Sequence, residues 1–366
     1  MNSSDIHIER YEKDARSRIR IDGRLVDKYE LDSSKYSYLI NKIKIQSNLD
    51  ISEKRLPQDG RMTLNTKGGV DIRVSILPTL HSEKVVLRIL KKGLSSLDLN
   101  KVVNDTEILD KISHQLYKQE GIALISGPTG SGKTTTLYSM LKVINSADKN
   151  IITIEDPIEY TLEGINQVQV KEAIGLTFPS ALRSVLRQDP DVIMVGEIRD
   201  EITAELAIRS ALTGHLILST IHSTSAWDAI NRLVDMGVPN YLVSNTLNIS
   251  IAQRLIRLLC PRCKVKKNVE LSALPKAFRS KSNLKFHFVS LGCSECRNTG
   301  YRGRRAIMEI IVINSELRKE ILKTPMLSAE EIRSKYEIDS LKSQVFKFFK
   351  RGEVSLEDAF PYLLES

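Results

Sequence analysis

No apolar run in this sequence approaches the roughly 18 residues that a membrane span needs, so no segment is expected to cross a bilayer by itself. The opening residues, Met1-Asn-Ser-Ser-Asp-Ile-His-Ile-Glu9, lack the basic start and apolar stretch of a secretory signal, which makes the cytoplasm the expected location. No internal repeat, low-complexity tract or proline-rich linker divides the chain. Cysteine is scarce, with 4 in 366 residues, all in the pairs Cys260-Pro-Arg-Cys263 and Cys293-Ser-Glu-Cys296. A length of 366 residues exceeds one ordinary core and implies two or three domains. The content of 41% hydrophobic and 27% charged residues is that of a soluble globular protein.

The net charge of +9 is uneven, because residues 257–305 carry 13 Lys and Arg against 2 Asp and Glu. A local basic surface of this kind suits an acidic partner, anionic lipid or nucleic acid, or is simply a solvated face.

The most informative pattern is Gly127-Pro-Thr-Gly-Ser-Gly-Lys-Thr134, set between the apolar run Gly121-Ile-Ala-Leu-Ile-Ser126 and the helical Thr135-Thr-Leu-Tyr-Ser-Met-Leu141. Strand, glycine-rich turn and helix in that order make a phosphate loop. The glycines let successive amides point at phosphate oxygens, and the helix N-terminus adds partial positive charge. The nucleotide-binding set is Gly127, Thr129, Gly130, Ser131, Gly132, Lys133, Thr134 and Thr135. Lys133 is placed for the β- and γ-phosphates of ATP, and the Thr134 hydroxyl for magnesium.

Three further strand ends carry polar residues, and in a parallel α/β sheet ligands bind outside the carboxyl ends of strands. Asn150-Ile-Ile-Thr-Ile leads to Glu155-Asp-Pro-Ile-Glu159, Asp191-Val-Ile-Met-Val-Gly leads to Glu197, and His215 and His222 bracket a strand. Glu197 fits a carboxylate that helps hold magnesium and water, Glu155 or Glu159 one that polarises the attacking water, and His222 a γ-phosphate sensor. Strand-end carboxylates also cap helices, and a histidine there is often structural.

The paired cysteines have the spacing of a tetrathiolate zinc site, with Cys260, Cys263, Cys293 and Cys296 as ligands; free thiols or disulfides are the alternatives. Four thiolates fill the tetrahedron, so the metal is expected to be structural rather than catalytic. Arg262, Lys264, Lys266 and Lys267 cluster around the first knuckle as an expected basic docking face.

The expected organisation is a small α+β domain over residues 1–98, with a hairpin turning at Asp22-Gly23, a helix near Tyr36 to Gln46 and a turn at Gly68-Gly69. A linker at 99–105 and an α/β nucleotide domain over 106–257 follow. The cysteine-bearing segment spans 258–305 and the C-terminal region 306–366, helical from Ser315 onward.

These motifs, with Glu53-Lys-Arg-Leu-Pro-Gln-Asp-Gly-Arg61, Leu186-Arg-Gln-Asp-Pro190, Leu212-Thr-Gly-His-Leu216 and Gly300-Tyr-Arg-Gly-Arg304, resemble the type II secretion and type IV pilus assembly ATPases. The resemblance covers roughly residues 4 to 310. It implies a RecA-like nucleotide domain, a PAS-like N-terminal domain and a homo-hexameric motor with ATP, magnesium and structural zinc. It assigns Glu155, Asp156 and Glu159 to an aspartate box, Glu197 to an atypical Walker B segment, and His215 and His222 to a histidine box. Arg73, in Asp71-Ile-Arg-Val-Ser, and Arg88, in Val85-Val-Leu-Arg, match arginines that reach the nucleotide.

The implied partners are an inner-membrane platform protein and its cytoplasmic adaptor, with anionic lipid contact as a further expectation and the motor peripheral to the inner membrane. The larger assembly motors carry an N-terminal docking domain that this sequence lacks, so truncation or a short-form member is expected. A nucleic-acid-binding ATPase gripping phosphates through the basic zinc segment is the alternative of another class. A small-molecule kinase is a third, but the glutamate boxes suit water activation better.

Overall fold

A computed structural model describes residues 3–64, 69–90, 97–268, 286–323 and 327–364. The chain divides into two compact units, Met1–Leu94 and Ser95–Ser366.

In the first unit the strands are β1 (Ser3–Arg10), β2 (Ala15–Ile21), β3 (Arg24–Leu31), β4 (Gln58–Leu64), β5 (Val70–Pro78) and β6 (Glu83–Leu90), with helix α1 (Tyr36–Gln46) after β3. They form an antiparallel sheet in the order β3-β2-β1-β6-β5-β4. The alternation in Ile72, Val74 and Ile76, and in Val85 and Leu87, turns one face inward onto Tyr36, Ile40 and Ile43 of α1. The Tyr36 hydroxyl donates to the carbonyls of Ile8 and Glu83, and the fully buried Lys44 ammonium pairs with Glu83 at 2.7 Å. The expected hairpin is present, with Asp22 and Gly23 both at positive φ, as the tight turn between twisted strands requires. The expected Gly68-Gly69 turn has its first residue outside the described residues.

The outward face of this sheet is charged. Read straight across the strands, one row runs Arg61, Arg73, Arg88, Asp5 and Arg20. Four residues along β1 from Asp5, Glu9 sits among Arg16, Arg18 and Lys84.

The second unit opens with α2 (Leu99–Val102) and α3 (Thr106–Leu116), continues through β7 (Gly121–Ser126), α4 (Lys133–Ile144), β8 (Ile151–Glu155) and β9 (Asn166–Gln169), and then α5 (Phe178–Val185), β10 (Val192–Val195) and α6 (Glu201–Leu212). Next come β11 (Leu216–Ile221), α7 (Ala226–Asp235), α8 (Asn240–Thr246) and the long β12 (Leu247–Leu259). The hairpin β13 (Lys264–Asn268) and β14 (Phe286–Ser290) precedes β15 (Tyr301–Val312) and four helices, α9 (Ser315–Ile321), α10 (Ala329–Tyr336), α11 (Leu341–Lys350) and α12 (Leu356–Leu364).

The main sheet has the order β15-β12-β7-β11-β10-β8-β9, parallel except for β15. Every residue of β7, β8, β10 and β11 is buried, because helices cover both faces; this is why these strands read as unbroken apolar runs.

Two expected boundaries fall inside strands. β12 continues to Leu259 and pairs antiparallel with β15 from Ile249↔Val312 to Leu259↔Tyr301. The sheet therefore resumes on the far side of the cysteine segment, which is confined to residues between those strands, and the C-terminal region begins with the second half of β15. Pairing across more than 40 residues leaves no local mark in sequence, whereas the cysteines and basic charge do. The expected linker at 99–105 likewise contains α2, whose N-cap Asp98 accepts from the Asn100 amide.

Candidate functional site

The phosphate loop spans the gap between the end of β7 and the start of α4. Gly130 and Gly132 adopt φ of 80° and 90°, the left-handed region that a side chain disfavours. At Gly127 a Cβ would also lie 2.5 Å from the Gln253 carbonyl oxygen, so the loop is pressed against β12. Lys133 Nζ donates to the carbonyls of Gly127 at 2.7 Å and Pro128 at 3.2 Å. Its burial lowers the pKa, the nearby Glu197 carboxylate opposes that shift, and Arg254 adds to it.

A cleft of about 480 Å³ opens over the loop, lined by Thr129 to Thr135 and by Glu155, Asp156, Glu159, Glu197, Arg199, His222 and Arg304. The carboxyl ends of β8, β10 and β11 thus bring their polar residues to one place. Glu197 is mostly buried, pairs with Arg199, and lies 3.5 Å from His222 Nε2.

The two aspartate-box glutamates differ sharply. Glu155 is buried at the end of β8 and accepts from the Tyr138 hydroxyl, the Thr153 hydroxyl and, at 3.1 Å, the Gln167 amide. Burial next to this carboxylate pushes the Tyr138 phenol far above its usual pKa. Glu159 is half-exposed, and no protein donor to its carboxylate is found among the described residues.

His215 does not join the cleft. It precedes β11 at the opposite end from His222, level with Gly121 rather than Ser126, and its Nδ1 donates to the Ser210 carbonyl at 3.0 Å. The alternating sheet register puts six residues, and roughly 20 Å, between the two histidines. Arg73 and Arg88 lie in the first unit, on β5 and β6 and directly opposite each other, with Arg88 Nε 2.9 Å from Asp5.

Three residues gain their place only from the assembled fold. Arg304, in sequence only part of a motif, reaches the cleft from β15. Arg61 extends the arginine row in the first unit. Gln253 braces the phosphate loop from β12. These residues come from strands distant in sequence from the loop, so only the sheet order reveals them.

The family model described as "Type II/IV secretion system protein" matches residues 1–360. The chain belongs to that family. It is 46% identical over 344 residues to the type IV pilus assembly ATPase PilB of Myxococcus xanthus, covering 89% of this chain and 61% of the relative. It is 40% identical over 365 residues to the type II secretion system ATPase E of Vibrio cholerae, covering 100% and 73%. The chain therefore spans about three fifths to three quarters of the length of these two relatives. Among solved structures, the pilus retraction motor PilT with bound ADP superposes with a TM-score of 0.65 at 28% identity, covering 98% of this chain and 93% of that one. The Legionella pneumophila ATPase DotB gives a TM-score of 0.73 at 22% identity over 100% and 92%, a likeness of fold.

In this secretion-family chain the four cysteines converge. Their sulfurs all lie within 4.8 Å of one another, with Cys260–Cys293 at 3.9 Å and both Cys263–Cys296 and Cys293–Cys296 at 3.7 Å. A tetrahedron with Zn–S bonds of about 2.3 Å has edges of about 3.8 Å, so the donor set fits structural zinc. Burial opposes ionisation of Cys296, but amide donation from Cys293 and Gly300 outweighs it and brings the thiol down to about 6.

The four cations of the expected docking face have different surroundings. Arg262 pairs with Glu295 at 3.2 Å, and Lys264 donates to the Gly352 carbonyl at 2.7 Å. Lys266 lies over the Phe286 ring, and Lys267, one residue on along β13, points to the other face of the hairpin. Among the described residues, no helix is long and apolar enough to cross a membrane.

Proposed function

We propose that the chain is the motor ATPase of a type IV pilus or type II secretion machine, hydrolysing ATP to drive assembly of pilin or pseudopilin subunits at the inner membrane. The observation that carries this reading is the convergence of Lys133, Thr134, Glu159, Glu197 and His222 on one cleft over the phosphate loop.

Lys133 exchanges its two loop carbonyls for β- and γ-phosphate oxygens, while the loop amides and the N-terminus of α4 hold the remaining charge. The Thr134 hydroxyl and Glu197 would hold magnesium, which supplies charge neutralisation between the phosphates. Glu159 orients and deprotonates the attacking water, because its carboxylate faces the cleft while Glu155 already accepts from three donors. Glu155 is instead a positioning residue that ties β8 to Tyr138 of α4. His222, beside Glu197, reports the γ-phosphate.

Arg73 and Arg88, joined by Arg61, supply positive charge to the transferring phosphoryl group. They lie in one row across β4, β5 and β6, which sets three guanidinium-bearing side chains side by side for an anionic ligand. These arginines lie outside the unit that holds the loop, so domain closure or a neighbouring subunit must bring them to the phosphates. A homo-hexamer meets that need. The partners are an inner-membrane platform protein and its cytoplasmic adaptor, with contact to anionic lipid, and the motor is cytoplasmic and peripheral to the inner membrane. The alternative is a nucleic-acid-binding ATPase that grips phosphates through the basic zinc segment.

The test is ATP hydrolysis per chain against protein concentration, with and without the cytoplasmic part of a candidate platform protein. The rate should climb with concentration and rise again with the partner. A monomer hydrolysing at full rate would overturn the oligomeric reading, and stimulation by DNA instead of the partner would favour the alternative.

A further inference from the structure

β12 overshoots the sheet that holds the phosphate loop. It pairs with β7 only as far as Ala252↔Ser126, and from Gln253 to Leu259 it keeps β15 as its partner, forming a two-stranded ribbon about 20 Å long. The ribbon passes beside the nucleotide cleft, to which it contributes Leu255 and Arg304, and ends at Cys260. Its far end is fastened. Arg257 stacks on Tyr301 at 4.0 Å and pairs with Asp358, the Leu259 amide donates to the Glu353 carbonyl, and the Cys260 amide to the Gly300 carbonyl.

Gln253 marks the near end of the ribbon. Its side chain is 1% exposed, and both ends of the amide are used. Nε2 donates to the Ser131 carbonyl in the phosphate loop at 2.8 Å, and Oε1 accepts from the Thr136 hydroxyl in the first turn of α4 at 2.7 Å. Because a carbonyl can only accept, the Ser131 contact fixes the orientation of the amide. The backbone and side chain of Gln253 also fill the space a Cβ would need at Gly127 and Gly132. One residue therefore holds the loop on two sides, and the same strand runs on, through a register shift between Arg257 and Leu259, to the first zinc ligand.

We propose that Gln253 is a positioning residue that couples the phosphate loop to the four-cysteine tip, so that an ordered tip preorganises the loop for nucleotide. This rests on the nucleotide reading of the loop and adds to it a direction of communication. Coupling of this kind is reciprocal, so nucleotide must tighten metal by the factor with which metal tightens nucleotide.

The test uses the full chain, zinc-loaded and chelator-stripped, titrated with a fluorescent ADP analogue. Zinc affinity is measured in parallel by competition against a chelator, with and without ADP. In the wild type, metal removal should weaken analogue binding about fivefold or more, and ADP should strengthen zinc binding by a similar factor. Gln253→Met keeps the side-chain size without either hydrogen bond; it should still bind both ligands while the coupling ratio falls to near one. Should that variant fail to fold, Thr136→Val removes one of the two contacts and should lower the ratio, whereas Thr136→Ser, which keeps the hydroxyl, should restore it. An unchanged wild-type affinity on metal removal, or a full ratio in Gln253→Met or Thr136→Val, overturns the proposal. Failure of the zinc-loaded wild type to bind the analogue at all overturns the nucleotide reading, and this inference with it.

Discussion

The two units each build a broad sheet and use it in opposite ways. The first packs one face of its antiparallel sheet on α1 and covers the other with charge, including three arginines set side by side across β4, β5 and β6. The second wraps its parallel sheet in helices on both faces and concentrates polar groups at the strand ends around one glycine-rich loop. In the proposed function, the first unit acts through a face of its sheet and the second through an edge that its core does not need.

Substitutions in the arginine row should have the largest effect. Arg73→Ala should cut ATP turnover about a thousandfold, the scale of an arginine supplied to a transferring phosphoryl group, while leaving the melting temperature of the protein unchanged or slightly higher. A large drop in melting temperature with modest loss of turnover would mean that the row serves the fold. In the second unit the corresponding change is Lys133→Ala, which should weaken ATP binding about 10- to 100-fold, as expected for lost charge-assisted hydrogen bonds, with little change in stability. Equilibrium titration with a non-hydrolysable ATP analogue reads this directly.

A smaller effect sharpens the contrast within the first unit. Burial alone would raise the pKa of Glu9, but the two-pronged bond from Arg18, at 2.7 and 2.9 Å, and the Lys84 ammonium at 2.8 Å pull it down to about 2. A carboxylate whose folded pKa lies below its unfolded value of about 4.3 stabilises fully above that value, and loses its contribution as the pH falls toward 2. Glu9→Gln should therefore cost about 3 kcal/mol at pH 7, and the gap from wild type should close between about pH 4.5 and 2. Urea unfolding at several pH values measures it, and a pH-independent gap would assign the cost to packing.

The difference between the units also governs what could be read from sequence. The Asp22-Gly23 turn, the α1 helix, the phosphate loop and the paired cysteines are legible because each is a local pattern with a local cause: positive φ, helical periodicity, amide presentation or knuckle spacing. The parallel strands were legible as apolar runs because both their faces are buried. The divergence of Glu155 from Glu159 was not legible, since it depends on Tyr138, Thr153 and Gln167 closing around one carboxylate. Nor was the return of β15 to the sheet, or the arrival of Gln253 and Arg304 at the loop, because strand order and register are properties of the assembled fold.

In the proposed function the cleft over the phosphate loop hydrolyses ATP, and the charge of Glu197 matters most as the phosphoryl group transfers. The most direct measurement compares binding and single-turnover hydrolysis of ATP by Glu197→Gln and by the wild type. Affinity should stay close to wild type and hydrolysis should slow about a hundredfold or more, because the change keeps the shape of the site and removes charge needed as the phosphoryl group transfers. Hydrolysis at the wild-type rate in that variant would contradict it.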